Sequence, residues 1–232
     1  MRHMTLIGLV FLVGIGCSAM AGNRLVSPSP NRSETAGKQD NETAAEIPLP
    51  ANATVKAPET FRVKFETTKG DFVLDVTRKW SPNGADRFYN LVKLGYFKDI
   101  AVFRAIKGFM FQFGIHGDPN VNTAWSNANI KDDPKAGQSN TEGMISYAKA
   151  GPNTRSVQFF VNLGNNERLD GMGFTPFGKV VEGMDVIKQI NTEYGENSPE
   201  VQGSFEAKGN AFILQKYPNL DMIKSVTIVE NK

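Results

Sequence analysis

The chain has 232 residues, of which 22% are charged and 40% hydrophobic, and this suits one globular domain with additional segments. The formal net charge of +2 gives no electrostatic case for nucleic acid, so we expect no nucleic-acid partner. The 16 phenylalanines and 22 glycines favour a β-rich domain with many turns. Cys17 is the only cysteine, which excludes an intrachain disulfide bond.

The first 21 residues are typical of a targeting segment. Arg2 and His3 precede an apolar run at residues 5–16, which is too short to span a bilayer comfortably. We therefore expect the protein to be exported, to a periplasmic or envelope-associated location.

Two ways of processing this segment stay open. Residues 19–21 read Ala-Met-Ala, which fits a signal-peptide cleavage site and would release a soluble chain that begins at Gly22. Alternatively, Cys17 follows Gly-Ile-Gly directly after the apolar run and would be the acylated cysteine of a bacterial lipoprotein. In that case the lipid anchor would be the protein's contact with the membrane.

Residues 22–58 are rich in Ser, Pro, Asn, Thr, Ala and Glu and contain almost no periodic apolar residues. Such a composition cannot bury enough surface to offset chain entropy, which predicts a disordered linker. The folded domain is then expected over residues 59–232.

Alternation of apolar and polar residues predicts a hairpin of two strands at residues 61–65 and 72–76. Ser81 and Pro82 predict the N-cap and first residue of a helix that ends at Gly95. Many short strands with two or three helices indicate a closed antiparallel barrel. Further strands are predicted before residue 113 and at residues 144–148, 158–163, 177–181 and 225–229, helices at 184–190 and 210–216, and a surface loop at 120–140.

The sequence lacks the patterns of several common chemistries. His116 is the only histidine beyond the targeting segment, and no G-x-S-x-G elbow, metal-ligand spacing or phosphate-binding glycine loop is present. We therefore interpret His116 as a turn residue and expect neither a metal nor a cofactor.

Two segments carry the functional signal. Residues 103–114, FRAIKGFMFQFG, place Arg104 among apolar residues, where its charge is costly to desolvate unless something uses it. Residues 143–166, GMISYAKAGPNTRSVQFFVNLGNN, set Gln158 beside Phe159 and Phe160. Together they predict an apolar pocket with a few fixed polar groups, as in small-ligand and peptide sites.

These segments resemble the cyclophilin family of peptidyl-prolyl cis-trans isomerases. The family pattern F-x-R-x-I-x-G-F-M-x-Q-x-G, an Ala-x-Ala-Gly-Pro-Asn turn and S-x-Q-F-F occur here in the family's order. L-D-G follows at Leu169 and F-G-K-V at Phe177, and the match spans about residues 61–193. The resemblance implies a mainly β fold, a closed eight-stranded antiparallel barrel capped by two α-helices. It also implies a cofactor-free, monomeric isomerase that acts on proline-containing peptides and on envelope proteins as they fold.

The resemblance also assigns roles to individual residues. Arg104 is the expected catalytic arginine, and Phe109 and Gln112 complete the catalytic set, with Gln112 orienting the substrate carbonyl or Arg104. The residues expected to bind substrate are Met110, Ala148, Lys149, Ala150, Gln158, Phe160, Leu169 and Phe174.

The sequence departs from the family pattern at four places. Lys149 stands where asparagine is frequent and would add a charge beside the groove. Arg168 stands where many members carry a tryptophan that contributes to cyclosporin affinity, which predicts weak drug binding with activity retained. The pocket histidine of many members has no counterpart; residues 172–176 stand there, one residue longer, and Phe174 would contact the proline. Residues 196–218 form an added segment that would either pack on the barrel or serve as a partner surface.

Three functions are compatible with these features: an exported isomerase for envelope proteins, a non-catalytic proline-peptide binding module or chaperone of the same fold, and a structural envelope protein. The presence of Arg104, Phe109 and Gln112 together favours the first.

Overall fold

The computed structural model describes residues 48–195 and 199–229. Cys17, the targeting segment and the predicted linker up to residue 47 lie outside the described residues. The strands are β1 (Thr60–Thr67), β2 (Gly70–Thr77), β3 (Ile100–Ala101), β4 (Arg104–Ile106), β5 (Met110–Phe113), β6 (Met144–Tyr147), β7 (Phe159–Asn162), β8 (Pro176–Glu182) and β9 (Met222–Val229). The helices are α1 (Pro82–Lys93), α2 (Pro119–Trp125), α3 (Arg168–Gly171), α4 (Met184–Ile187) and α5 (Pro199–Lys216), with short 3-10 turns at Pro50–Asn52 and Arg78–Trp80.

The strands form one antiparallel sheet in the order β3-β9-β1-β2-β8-β6-β7-β5-β4. The prediction of a mainly β, antiparallel fold with capping helices is confirmed. Instead of the predicted closed barrel of eight strands, the described residues form a curled sheet of nine, whose edge strands β3 and β4 follow one another in the chain. They have different neighbours, since β3 pairs with β9 and β4 pairs with β5. Between them, the N–H of Val102 donates to the Asp221 carbonyl at 2.9 Å, and the N–H of Ala105 in β4 donates to the Gly195 carbonyl at 3.3 Å.

The predicted β1–β2 hairpin is confirmed, with one face in the core and the other in solvent. Phe61 and Phe65 are buried, while Arg62 pairs with Asp75 on the outer face at 2.6 Å. Phenylalanine rings fill the space beneath the sheet, and the fully buried Phe88 of α1 lies at their centre. The phenylalanine-rich composition therefore supplies the core.

α1 begins at the predicted position, but the Ser81 side chain does not cap it. Asp133 accepts the backbone N–H groups of Asn83 and Gly84, each at 2.9 Å, and the Ser81 hydroxyl donates to the same carboxylate at 2.5 Å. The buried guanidinium of Arg155 lies 3.0 Å from this carboxylate. A negative charge here stabilises the positive end of the helix dipole, so Asp133 fixes its loop to α1.

Residues 120–140, predicted as a loop, begin with α2. Asp118 accepts the N–H of Asn120 at 2.8 Å as the N-cap, and Pro119 occupies the first helical position. Val121 and Trp125 are buried. The polar composition of the segment hid this short helix, although Asp-Pro is a helix-start signal.

Residues 48–58, which the sequence composition assigns to the linker, pack on the domain. The Trp125 indole N–H donates to the Pro48 carbonyl at 2.7 Å. The Asn90 side chain accepts the N–H of Val55 at 2.9 Å and donates to its carbonyl at 2.6 Å. These are bonds to the backbone, which composition does not reveal.

Within the added segment, residues 196–198 lie outside the described residues and residues 199–216 form α5, which is interrupted at Gly209, where φ is 67°. A side chain there would collide with the Gly117 carbonyl, so glycine allows the close approach. Of the two alternatives, packing on the sheet is observed, and no helix within the described ranges is long and apolar enough to cross a membrane. The apolar cluster between α5 and the sheet comprises Ala101, Phe103, Ile115, Val201, Phe205, Ile213 and Leu220.

The buried Asp133–Arg155 pair yields a stability prediction. Asp133→Ala leaves the Arg155 charge buried without its main counter-charge and should lower the free energy of unfolding by about 3–5 kcal/mol. Urea unfolding followed by circular dichroism measures the loss. Asp75→Ala, which breaks the more exposed pair with Arg62, is the control and should cost less than about 1 kcal/mol. Equal losses in the two variants would contradict the assignment.

Candidate active site

The strands β4, β5 and β7 present alternate side chains to the two faces of the sheet. Phe111 of β5 points into the core, so its neighbours Met110 and Gln112 point to the opposite face. In the antiparallel register Gln112 lies between Arg104 of β4 and Phe160 of β7. The pleat thus sets a guanidinium, an amide and an aromatic ring side by side.

An apolar cavity of about 250 Å³ opens on this face. Met110, Phe160 and Leu169 form a floor in which each residue is at most 6% exposed. The Phe174 ring meets that of Phe160 edge to face, with 5.7 Å between centroids. The lining comprises Phe103, Arg104, Phe109, Met110, Gln112, Ala148, Lys149, Phe160, Leu169, Phe174 and Gln202.

Arg104 and Gln112 are the polar pair at the wall of this cavity. Nη1 of Arg104 donates to Oε1 of Gln112 at 3.2 Å, and Nε2 of Gln112 donates to Oε1 of Gln158 at 2.9 Å. Because the amide is held at both ends, its orientation is fixed. A permanently charged, multi-donor group beside an apolar floor can stabilise an electron-rich atom of a bound ligand.

A half-buried polar network around the buried Asn140 supports the wall that carries Leu169 and Phe174. Asp170 accepts the backbone N–H of Asn140 at 2.9 Å and its side-chain N–H at 2.7 Å, and it also accepts the hydroxyl of Ser139. The Asn140 amide also donates to the Phe174 carbonyl at 2.8 Å. Burial raises the pKa of Asp170, but the hydrogen bonds from Ser139 and Asn140 lower it by more, so the pKa lies below its ordinary value. Sequence reasoning missed this network.

The predicted charge of Lys149 beside the groove is paired. Its Nζ lies 3.1 Å from the Asp132 carboxylate and 5.6 Å from the centre of the Phe174 ring. Burial raises the pKa of Asp132, whereas the N–H of Asn153 and the ammonium of Lys149 lower it, and the lowering prevails. The lysine therefore ties the Asp132 loop to the wall of the cavity.

A neighbouring cavity of about 590 Å³ continues the site and shares Gln112, Ala148, Lys149 and Gln202 with the first. Ala150 and Gln158 line it. The structure thus places nine of the predicted site residues around the apolar cavity and the remaining two, Ala150 and Gln158, in the adjoining one. Their roles in binding or catalysis stay predictions.

Several further residues that line the two cavities were missed from sequence, including one beside Arg104 and two on α5. Phe103 directly precedes Arg104, and Gln202 and Glu206 reach the cavities from α5. For the two residues of α5 a signal was available in the sequence. Pro199 is typical of a helix start, and Gln202 and Glu206 are four residues apart, which places both on one face of a helix.

Within the described part of the chain, no group of three or more His, Cys, Asp and Glu side chains could hold a metal ion. His116 lines neither cavity. Its Nδ1 accepts the N–H of Asp118 at 3.0 Å, its ring packs on Tyr96 with 5.2 Å between centroids, and burial lowers its pKa. It acts in the turn that leads to α2.

A curled antiparallel sheet with an arginine beside an apolar cavity has the general features of a small-ligand or peptide site. The family model described as "Cyclophilin type peptidyl-prolyl cis-trans isomerase/CLD" matches residues 62–206. The chain belongs to this family.

Curated relatives carry the same assignment in their names. Peptidyl-prolyl cis-trans isomerase CYP18-2 of Arabidopsis thaliana is 34% identical over 142 residues, which cover 59% of this chain and 84% of the relative. Peptidyl-prolyl cis-trans isomerase B of Escherichia coli is 29% identical over 177 residues, which cover 72% of this chain and 99% of the relative.

Solved structures share the fold. A crystal structure of a cyclophilin-type isomerase from Cryptosporidium parvum matches with a TM-score of 0.57 and 21% identity, and the match covers 75% of this chain and 99% of that one. A crystal structure of the same protein in the presence of the dipeptide Ala-Pro matches with a TM-score of 0.56 and 22% identity, covering 73% and 99%.

Arg168 at the rim of the site yields a prediction about drug binding. Its guanidinium lies 4.8 Å from the centre of the Phe109 ring, where a larger aromatic side chain would extend the apolar surface. We expect weak cyclosporin binding, and Arg168→Trp should tighten it several-fold, up to roughly tenfold. Calorimetric titration measures the dissociation constant. Glu167→Trp, at the adjacent exposed position, is the control, and equal affinities in all three proteins would refute the expectation.

Proposed function

We propose that this chain catalyses cis-trans isomerisation of X-Pro bonds in exported proteins, with Arg104 stabilising the twisted amide. The observation that carries the proposal is the placement of Arg104, fixed against Gln112, at the wall of an apolar cavity. Family membership and the names of the relatives support the reaction class.

The chemistry requires neither a nucleophile nor a metal. Rotation about a peptide C–N bond faces a barrier of about 18–20 kcal/mol because the nitrogen lone pair is delocalised. In the twisted state that lone pair returns to the proline nitrogen, which becomes pyramidal and a better hydrogen-bond acceptor. A group that binds the twisted amide more tightly than either planar form lowers the barrier.

The residues of the cavity fit this requirement. The apolar floor of Met110, Phe160 and Leu169 suits a proline ring and excludes water from it. The Arg104 guanidinium presents several donors in a rigid fork. Donors that are already in place need no reorganisation as the nitrogen becomes basic.

The alternative function is a proline-peptide binding module or chaperone without catalysis. The same apolar floor would serve it, because binding a ground-state peptide needs no donor at the proline nitrogen. The two functions therefore differ in their dependence on Arg104.

Arg104→Ala separates them. The wild-type chain from residue 22 onward should accelerate the isomerisation of a short X-Pro peptide. Arg104→Ala should reduce kcat/KM by about 100- to 1000-fold. Circular dichroism should show that the variant retains the fold. Arg62→Ala, on the outer face of β1, is the control and should leave the rate unchanged.

A well-folded wild-type protein without activity would favour the binding module. An Arg104→Ala protein as fast as wild type would refute the mechanism.

We further propose that the protein works in a bacterial envelope on unfolded or folding exported proteins. The support is the apolar run at residues 5–16, the Ala-Met-Ala sequence and the position of Cys17. Acylation of Cys17 would hold the isomerase at the membrane, with the polar segment behind it as a tether.

Fractionation of a bacterial host that expresses the full chain tests the location. With an anchor, the protein should take up labelled fatty acid and sediment with the membranes, and Cys17→Ser should abolish the label. Ser18→Ala, at the adjacent position, is the control. A wild-type protein that is processed but unlabelled indicates the released form, and an unprocessed protein in the cytoplasm would overturn export.

A further inference from the structure

A row of polar side chains runs from the cavity to α5. Arg104 donates to Gln112 at 3.2 Å, Gln112 donates to Gln158 at 2.9 Å, and Gln158 donates to Oε1 of Glu206 at 3.2 Å. Gln202, one helical turn before Glu206, donates to the same oxygen at 3.2 Å. The row joins β4, β5, the start of β7 and the added helix.

The two ends of this row determine its direction. A guanidinium can only donate hydrogen bonds, and a carboxylate can only accept them, whereas each glutamine amide has one acceptor and one donor end. Because Glu206 accepts, Gln158 must turn its NH₂ toward α5 and its oxygen toward Gln112. Gln112 must then turn its NH₂ toward Gln158, which leaves its oxygen for Arg104.

The packing of α5 fixes Glu206 in place. Phe205 is fully buried and meets Phe103 with 6.0 Å between ring centroids, and Phe103 directly precedes Arg104. The carbonyl of Glu206 also accepts the side-chain N–H of Asn122 in α2 at 3.1 Å. The acceptor at the end of the row is therefore held on a packed helix.

We propose that Glu206 is a positioning residue for the isomerase reaction, acting through Gln158 and Gln112 to aim the Arg104 guanidinium. The proposal rests on the role of Arg104 proposed above. When the Arg104 guanidinium is held in the direction of the proline nitrogen, it stabilises the twisted amide of the substrate and raises kcat. Substrate binding changes little, since the planar substrate does not need this donor.

Reversing the polarity of the end group tests the proposal. In Glu206→Lys the new ammonium donates, so Gln158 would turn its oxygen to α5 and its NH₂ to Gln112. Gln112 would then offer its NH₂ to Arg104, and two donors would face each other. We expect kcat for the X-Pro peptide to fall roughly 10- to 100-fold with KM nearly unchanged, the scale of a misplaced catalytic group.

A second substitution should restore the direction of the row. Adding Gln158→Glu to Glu206→Lys places an acceptor-only carboxylate between the new ammonium and Gln112. That carboxylate accepts from both, so the oxygen of Gln112 faces Arg104 again. The double variant should regain most of the lost kcat, whereas a purely structural role of Glu206 predicts no recovery.

Controls separate the possible outcomes. Asp185→Lys reverses an exposed acid on α4 and should leave kcat unchanged. If Glu206→Lys does not fold, Glu206→Leu removes the acceptor without adding a donor and should still lower kcat several-fold.

Wild-type kcat in folded Glu206→Lys or Glu206→Leu, or no recovery in the double variant, would overturn the inference about Glu206. Undiminished activity in Arg104→Ala would instead overturn the proposed mechanism, so the two failures are distinguishable.

Discussion

The site depends on one constraint, the alternation of side chains between the two faces of the sheet along β4, β5 and β7. A slip of one residue in β5 would move Met110 and Gln112 into the core and Phe111 to the surface. The aromatic core prevents the slip, since Phe113 packs on Phe159 of β7 with 5.6 Å between centroids. The burial that stabilises the domain therefore also holds the arginine, the amide and the apolar floor in register.

The loops around the site depend on carboxylates rather than on regular structure. Asp132 and Asp170 each gather donors from segments far apart in sequence, and their pKa values are lowered. A carboxyl whose pKa is lower in the folded than in the unfolded state stabilises the fold above its ordinary pKa, 3.8 here, and loses that contribution as the pH falls through the folded value. Acid should thus loosen the walls of the cavity, while the sheet, which is held by apolar burial, is less sensitive.

The sequence was most informative where the determinants are local. Alternation located the β1–β2 hairpin, and the apolar strand around Arg104 pointed to the cavity, because a strand's period sets the faces of its side chains. The capping of α1 by Asp133 was not predictable, since the carboxylate lies 50 residues from Asn83 in sequence. The placement of β3 and β4 at opposite edges of the sheet likewise depends on long-range backbone bonds, such as that from Val102 to Asp221, which the periodicity of the sequence does not reveal. Composition also missed α2 and the first half of α5, where polar residues are at least as frequent as apolar ones.

The added helix shows why such long-range contacts matter for function. Its apolar face, with Phe205 on Phe103, sets how closely α5 approaches the strand that carries Arg104. Its polar side then presents Glu206 to Gln158 at hydrogen-bond distance. Apolar packing is non-directional. In contrast, each amide between a carboxylate and a guanidinium must turn its NH₂ to the carboxylate side and its oxygen to the guanidinium side. The helix can therefore influence an arginine that it reaches through two intervening side chains, provided that each amide keeps a single orientation.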